Sequence, residues 1–558
     1  MLANPRISKV EFCRWLNKTL NNGRKMILDG NTLTVESIAK MARNPKVRVE
    51  ISPEIESRVK ASRKLLDEFV ESGRVIYGVT TGVGGFVNWL VPPEYQERLQ
   101  NNLLRSVASN VGPLLDDEFV RATMLARINS LGRGASAIAF ENFEKYVAMY
   151  NAGILPCIPE KGSLGASGDL GPLAFIAMVG TGFWRAKYKG EIIPAADALK
   201  KAKIEPMRLG CKEGLALING TSAMVGMASC LLADTKKLIK SDLLISALSI
   251  EALRGKIMPF HPAPHENKPH PGQIKAAAAL FSTLADSKMA VNDAEVEEWL
   301  KSLGTGKPQA LDQQIEDAYS IRATPQILGP VIDTTLFVER TVEIELNSSN
   351  DNPLILVEYG EAFHNANFHG QYVSNGMDQL SIVLTTMCNL SDRRTDRMLD
   401  PANNAGLPAF LCKEDPGMRL GLMGGQFTGT SIMAELRSLC TPVSIQTLTS
   451  TGDFQDHVSM GLVAARRARD IMYNAAYILA FELICGCQAA DQRSGKSGKG
   501  GAADLSSATH GVYEQVRKIV PYLDYDMPFT DPIESVAELI RSGALLDCLP
   551  ENAAGFDW

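Results

Sequence analysis

Residues Ala223 to Arg254 read AMVGMASCLLADTKKLIKSDLLISALSIEALR, with one glycine, no proline and an apolar residue at every seventh position: Met224, Leu231, Leu238, Ile245 and Ala252. A repeat of seven keeps one stripe of a helix facing the same way, so this stretch predicts a long bundle helix with a buried seam. Leu462 to Cys485 and Met377 to Arg394 have almost as few breakers and predict two more. With three such helices in one chain, an all-α fold is the economical architecture: a long central helical bundle with a smaller N-terminal lobe.

The breakers fall between the helices. Tyr77 to Val91, Leu155 to Pro172, Pro259 to Gly272 and Ser494 to Gly501 are rich in glycine or proline and predict loops, where a rigid scaffold can place chemistry. The first two lie in an N-terminal lobe, residues 1–205; the long helices occupy 206–530, and 531–558 is a short C-terminal tail. A chain of 558 residues can bury a large core and divide into lobes.

Composition excludes several classes. Apolar residues at 45%, charged residues at 22% and a net charge of −6 describe a globular protein with no basic stripe to neutralise nucleic acid. The densest basic run, Arg466, Arg467 and Arg469, sits in an apolar helical pattern and reads as a solvated or interface face. The N-terminus lacks the apolar core and cleavage site of a secretory signal. The most apolar window, Ala475 to Cys485, is short for a bilayer and carries Glu482, which predicts a core helix and no membrane span. Ten cysteines without CxxC pairs suit reduced thiols in a cytoplasm.

Three apparent motifs are set aside. Gly495, Lys496 and Ser497 end like a phosphate-binding loop, but Ala490 stands where its first glycine belongs. GVTTGVGGF from Gly78 does not have dinucleotide-loop spacing, so it reads as a lid and no nucleotide is expected. His261, His265 and His270 are interleaved with prolines that work against a helical pair of metal ligands, so no metal is expected.

The segment GSLGASGDLGPLA, Gly162 to Ala174, carries different chemistry. Small residues crowd one serine so closely that the backbone can fold back on itself. The amide nitrogen of Gly168 can attack the carbonyl carbon of Ala166, because glycine tolerates the strained angles and adds no side chain in the way. A five-membered ring closes, and loss of water from the ring and from Ser167 leaves an exocyclic methylidene. This group, a 4-methylidene-imidazol-5-one (MIO), is an electrophile that side chains otherwise lack. Ser167 as a hydrolase nucleophile fits less well, since GASGD is not GxSxG.

ASGDLGPLA is joined in order by YGVTTGVGGF at Tyr77, LINGTSAM around Asn219, HPGQ at His270, YSIRATPQ at Tyr319, NSSNDNP at Asn347, NFHGQYVS at Asn367 and FQDHVSMG at Phe454. With these blocks the chain resembles the MIO-dependent aromatic amino-acid ammonia-lyases and 2,3-aminomutases over roughly residues 30 to 490, with the architecture of the aromatic ammonia-lyase and fumarase-like superfamily. The alternative, a non-catalytic helical scaffold, leaves these ordered blocks without a reason.

The resemblance implies roles. Substrate nitrogen meets the electrophile at the carbon from Ser167, and Tyr77 is the base that takes the β-proton. An unperturbed tyrosine titrates near 10, so a phenolate at neutral pH needs roughly 4 kcal/mol of help from positive charge and donors. Arg322 anchors the substrate carboxylate through its planar fork. Tyr319 lies beside the MIO and assists protonation or orientation. Asn219 and Asn347 surround the MIO carbonyl and the substrate's polar groups, and Phe368 walls the pocket. Glu316 departs from the family's usual glutamine; its carboxylate could hold Arg322 or tune Tyr319.

Ser106 and Val107, after QNNLL, match the family's ring-binding pair. Val107 offers no donor to a polar ring, and Gln455 stands where histidine lyases carry glutamate; with Phe454 beside it, the substrate reads as phenylalanine. The expected activity is deamination of L-phenylalanine to trans-cinnamate and ammonia. The alternative, a phenylalanine 2,3-aminomutase giving β-phenylalanine, uses the same residues. The family also implies a homotetramer with active sites shared between chains, and the tail is too short for the additional C-terminal domain of larger eukaryotic members.

Overall fold

The stretch with the seven-residue seam folds as helix Ser222–Ala252. Its five seam residues are at most 3% exposed, and burying each large one contributes about 1.5–3 kcal/mol. The other two predicted helices are longer than their patterns: Gln371–Leu399 and Gly461–Gln492. A fourth, Thr324–Leu346, runs through Pro330, a residue that sequence logic treats as a break. The computed structural model describes residues 25–303, 308, 310–311, 314–493, 501–549 and 553–558. The N-terminal stretch and the run Gly495, Lys496, Ser497 lie outside them.

Among the described residues there are 19 α-helices, and the strands form small sheets of two or three. The fold is all-α, as the breaker-free stretches predict. Contacts divide the chain into two units: Met1–Ala233 with Val338–Asp378 and Pro442–Arg466, and Asp234–Phe337 with Gln379–Thr441 and Arg467–Trp558.

In the first unit the helix Asp117–Gly132 is buried nearly all round, so its polar side chains must find partners inside. Arg121 donates to the carbonyl of Ala42 (2.9 Å) and to the Tyr150 hydroxyl (2.9 Å). Lys212 and Asp351, both wholly buried, pair at 2.6 Å. The apolar helix Leu170–Gly180 is likewise enclosed and packs against Glu213–Ile218. Together these helices fix the loops on either side of them.

In the second unit Arg394 lies between Glu482 and Asp242, its Nη2 at 3.0 Å from an oxygen of each, and all three are wholly buried. Glu482 therefore interrupts an apolar helix for a reason: it neutralises a buried guanidinium. Helix Gly461–Gln492 is long and apolar enough to cross a membrane by length and composition, yet 78% of its most apolar window is buried inside the protein. The histidine and proline run also differs from a plain loop. Pro262 opens the short helix Pro262–Glu266, whose cap is His261. His265 is buried, with Nε2 2.9 Å from the Pro259 carbonyl and Nδ1 3.0 Å from Gln273 Nε2.

Candidate active site

Leu164 to Asp169 forms a tight turn of backbone in the first unit. Gly165 and Gly168 take φ of +79° and +72°, and the chain doubles back so that Gly168 pairs with both Gly165 and Ala166. From one side Gly220 clamps it, accepting from Asp169 N at 2.7 Å and donating to the Ser167 carbonyl at 3.2 Å. From the other, Met460 N donates to the Leu164 carbonyl at 3.2 Å. A Cβ on Gly168 would stand 2.1 Å from the Gly220 oxygen, so this position admits no side chain. The residues fit the cyclisation: a doubled-back Ala-Ser-Gly, pinned on both sides, with nothing attached where the ring nitrogen must approach.

A buried polar network supports the clamp. Arg127 donates to Asn350 Oδ1 at 3.2 Å and to the Ala216 carbonyl; Asn350 donates to Thr221 at 2.9 Å, and Thr221 to Glu345 at 2.6 Å. Gly220, at φ +137°, leaves no room for a Cβ, which would meet Asn350 Oδ1 at 2.4 Å and Arg127 Nη1 at 2.7 Å. Asp169 follows the loop, wholly buried, accepting from Met224 N at 2.7 Å and Ser163 Oγ at 3.1 Å. Burial pushes its carboxyl up to about 7, against the pull of those donors. Asp169 is a residue that sequence reasoning misses, although it stands in the ASGD block itself.

Ala166 and Ser167 open onto a cavity of about 750 Å³. Tyr77, Asn219, Phe368, Phe454 and Gln455 share its lining. Gly168 lies against Gly220, outside that lining. Asn219 caps the helix Glu213–Ile218 and is 2% exposed, and its Oδ1 is buried without a hydrogen-bond partner among the described residues. A buried amide oxygen left unmatched costs about 1–3 kcal/mol, and this one belongs to a residue that lines the cavity. Asn352, His364, His369 and His457 also line the cavity; the blocks NSSNDNP, NFHGQYVS and FQDHVSMG contain Asn352, His369 and His457, but nothing in the sequence sets them apart within those blocks.

Tyr77 begins a turn that is bonded across its base, with Gly82 N on the Trp89 carbonyl (2.8 Å) and Val91 N on the Thr80 carbonyl (2.9 Å). Its amide donates to His364 Nε2 at 3.1 Å, and its hydroxyl accepts from Gly84 N at 2.9 Å. Burial raises the phenol above its ordinary value, and the Gly84 donor works against that rise. The donor expected for a base is present. The expected cation is not: among the described residues lining the cavity there is no lysine or arginine.

Five predicted residues lie elsewhere. Asn347 is fully used as a brace: its amide accepts from Leu33 N (2.9 Å) and donates to the Leu33 and Glu343 carbonyls (both 2.8 Å). The same motif instead sends Asn352 to the cavity. Ser106 and Val107 end the helix Gln96–Val107 and are absent from the lining, Ser106 being exposed on the last turn and Val107 half-buried. Tyr319 and Arg322 belong to the second unit, where they line a separate cavity of about 580 Å³.

The profile of the aromatic amino acid lyase family matches residues 33–518. The chain belongs to this family. A tyrosine ammonia-lyase of Cupriavidus metallidurans is 42% identical, over 93% of this chain and 97% of that protein. The MIO-dependent tyrosine 2,3-aminomutase of Streptomyces globisporus is 40% identical, over 93% and 95%. The solved structure of Pantoea agglomerans phenylalanine aminomutase is 54% identical with a TM-score of 0.89, covering 93% of this chain and 98% of that one. The relatives named here are an ammonia-lyase and two aminomutases.

Proposed function

We propose that the chain removes the amino group of L-phenylalanine, giving trans-cinnamate and ammonia, with an MIO group that it forms from its own Ala166, Ser167 and Gly168. The observation that carries this reading is that Ser167 and Tyr77 open on one cavity whose buried Asn219 amide oxygen has no partner among the described residues. An MIO at this position would supply an electrophilic carbon toward the substrate's amine, which would make that amine a better leaving group. Tyr77, as the phenolate, takes the β-proton and becomes the neutral phenol; the Gly84 amide, which donates to its oxygen, favours the phenolate before the transfer. Asn219 orients polar groups next to the ring formed at Ser167. Phe368 and Phe454 pack the phenyl ring, and Gln455, held by Thr451 at 2.7 Å, presents an amide where histidine lyases carry glutamate.

A substrate carboxylate calls for a cation, and no lysine or arginine lines this cavity among the described residues. In our reading a homotetramer supplies it: the second unit of another copy brings Arg322 to anchor the carboxylate and Tyr319 to assist proton transfer. Positive charge from Arg322 then offsets the burial that holds Tyr77 protonated. Tyr319 is 71% exposed in the single chain, as a residue presented to another copy should be.

A second reading, phenylalanine 2,3-aminomutase, is favoured by the 54% identity to the Pantoea agglomerans enzyme. It uses the same residues and differs in returning ammonia to the β-carbon. The test is incubation with L-phenylalanine, L-tyrosine and L-histidine separately, following the unsaturated acid by absorbance and β-phenylalanine by chromatography. Cinnamate as the main product supports the first reading. Rapid β-phenylalanine with little cinnamate replaces it with the second, and faster turnover of tyrosine or histidine overturns both substrate assignments.

A further inference from the structure

The second unit's cavity contains its own counter-ion. Two cationic side chains line it among the described residues, Lys256 and Arg322. Lys256 is engaged by Asp317, Nζ to Oδ1 at 3.4 Å, and Asp317 also accepts from the Lys256 amide at 2.7 Å. Both side chains of that pair are nearly buried, at 13% and 12% exposed. Arg322 is therefore the cation that an incoming anion can address.

Arg322 is already paired. Glu316 Oε2 lies 2.8 Å from Arg322 Nη2, and the guanidinium sits 5.0 Å from the centroid of the Tyr319 ring. The Nε of Arg322 is buried and makes no hydrogen bond among the described residues. The guanidinium thus has a carboxylate on Nη2 and an Nε donor with no partner among the described residues. Glu316 is 68% exposed and Arg322 32%, so water and salt weaken their attraction. A pair of that kind is displaceable, unlike the buried Lys256–Asp317 pair beside it.

We propose that Glu316 is an internal stand-in for the substrate carboxylate: it occupies Arg322 when no substrate is bound and competes with the substrate for that guanidinium. Glu316 is a positioning residue that acts through Arg322. Two carboxylates near one guanidinium repel each other, so substrate must displace Glu316 or share its cation, and apparent affinity is lowered accordingly. The cost applies to ligands with a carboxylate and spares those without one. This inference rests on the reading of Arg322 as the carboxylate anchor.

The test uses the full-length purified enzyme with Glu316→Gln, which keeps the shape and removes the charge. The KM for L-phenylalanine and the inhibition constant for cinnamate should fall about 1.5- to 5-fold, the range set by an exposed ion pair, with kcat changed less than about 2-fold. Inhibition by 2-phenylethylamine, which has no carboxylate, should not move. Added salt should narrow the difference between wild type and variant for cinnamate. Glu316→Asp, which keeps the charge, should restore at least part of the competition.

Arg322→Ala separates the anchor from the competition. If it leaves cinnamate inhibition and KM unchanged, the anchor reading itself fails. If it weakens both at least about tenfold while Glu316→Gln leaves cinnamate inhibition unchanged, the competition inference alone is overturned. An equal shift for cinnamate and 2-phenylethylamine would show that Glu316 merely shapes the cavity, which also overturns it. Should Glu316→Gln fail to fold, Glu316→Ala is read by the same comparison of the two inhibitors.

Discussion

Replacing Gly168 with alanine asks whether the doubled-back loop is what the chemistry requires. Two costs arise at this position and can be separated. The first is conformational: at φ +72° an L-residue with a Cβ loses about 1–2 kcal/mol. The second is steric: the new Cβ would lie 2.1 Å from the Gly220 oxygen and 2.4 Å from its carbonyl carbon, so backbone must move by about an ångström, at a cost of about 1–3 kcal/mol. The Gly220 peptide that must yield is the one bonded to Asp169 N (2.7 Å) and to the Ser167 carbonyl (3.2 Å). Gly153 is the control, with the same φ of +72° and nothing within 4 Å of an added Cβ. Gly153→Ala should lower stability by about 1 kcal/mol and still give protein two water masses short of the encoded sequence. Gly168→Ala should lower it by about 2–5 kcal/mol and give folded protein of full encoded mass, without the near-ultraviolet absorbance. Intact-mass spectrometry, denaturant titration and an absorbance scan read all three quantities. A Gly168→Ala protein that loses both waters and turns over substrate like the wild type would show that the fold of this loop is not what permits the ring to close.

Asn219→Ala removes a buried oxygen that has no partner among the described residues, so stability should change by less than about 1 kcal/mol while kcat falls at least about 100-fold; equal losses in melting temperature and activity would point to a structural role. Glu251 is buried and its carboxyl is pushed up to about 7 by that burial, against donors that include Ser506 N at 2.6 Å. A folded value above the unfolded one binds protons more tightly in the native state, so its contribution is complete below about pH 4.5 and is lost as pH rises through 7. Melting temperature should therefore decline between about pH 5 and pH 8, and Glu251→Gln should make that decline shallower; an unchanged slope would remove Glu251 as a cause. Asp351→Ala leaves the Lys212 ammonium buried without its 2.6 Å partner and should cost about 3–5 kcal/mol in denaturant unfolding. Lys212→Met in the same chain should recover most of that loss, and no recovery would contradict the uncompensated-charge explanation.

The long helices are legible in the sequence because burial imposes a period: Met224, Leu231, Leu238, Ile245 and Ala252 have to recur for one stripe to stay inside. Helix Thr324–Leu346 is not, since Pro330 carries a local signal that tertiary packing overrides. The doubled-back loop is legible from its small residues, because their absence of side chains is itself the geometric requirement. Asn347 shows the limit of a motif. NSSNDNP identifies a segment, but within it Asn347 braces Leu33, Asn350 holds Arg127, and Asn352 reaches the cavity. These three asparagines offer the same chemistry, and which one faces the ligand depends on backbone direction. The raised carboxyl of Asp169 is equally hidden, because desolvation comes from the helices around it and not from its neighbours in sequence.

The chemistry proposed at the cavity requires that Ala166, Ser167 and Gly168 become an electrophile. The intact mass of the purified wild-type protein, measured beside Ser167→Ala and with each then given L-phenylalanine, reads this without an intermediate step. The wild type should be two waters lighter than its sequence and active, and the variant should have full encoded mass, no near-ultraviolet absorbance and no activity. An active wild type of full encoded mass would contradict the formation of the ring.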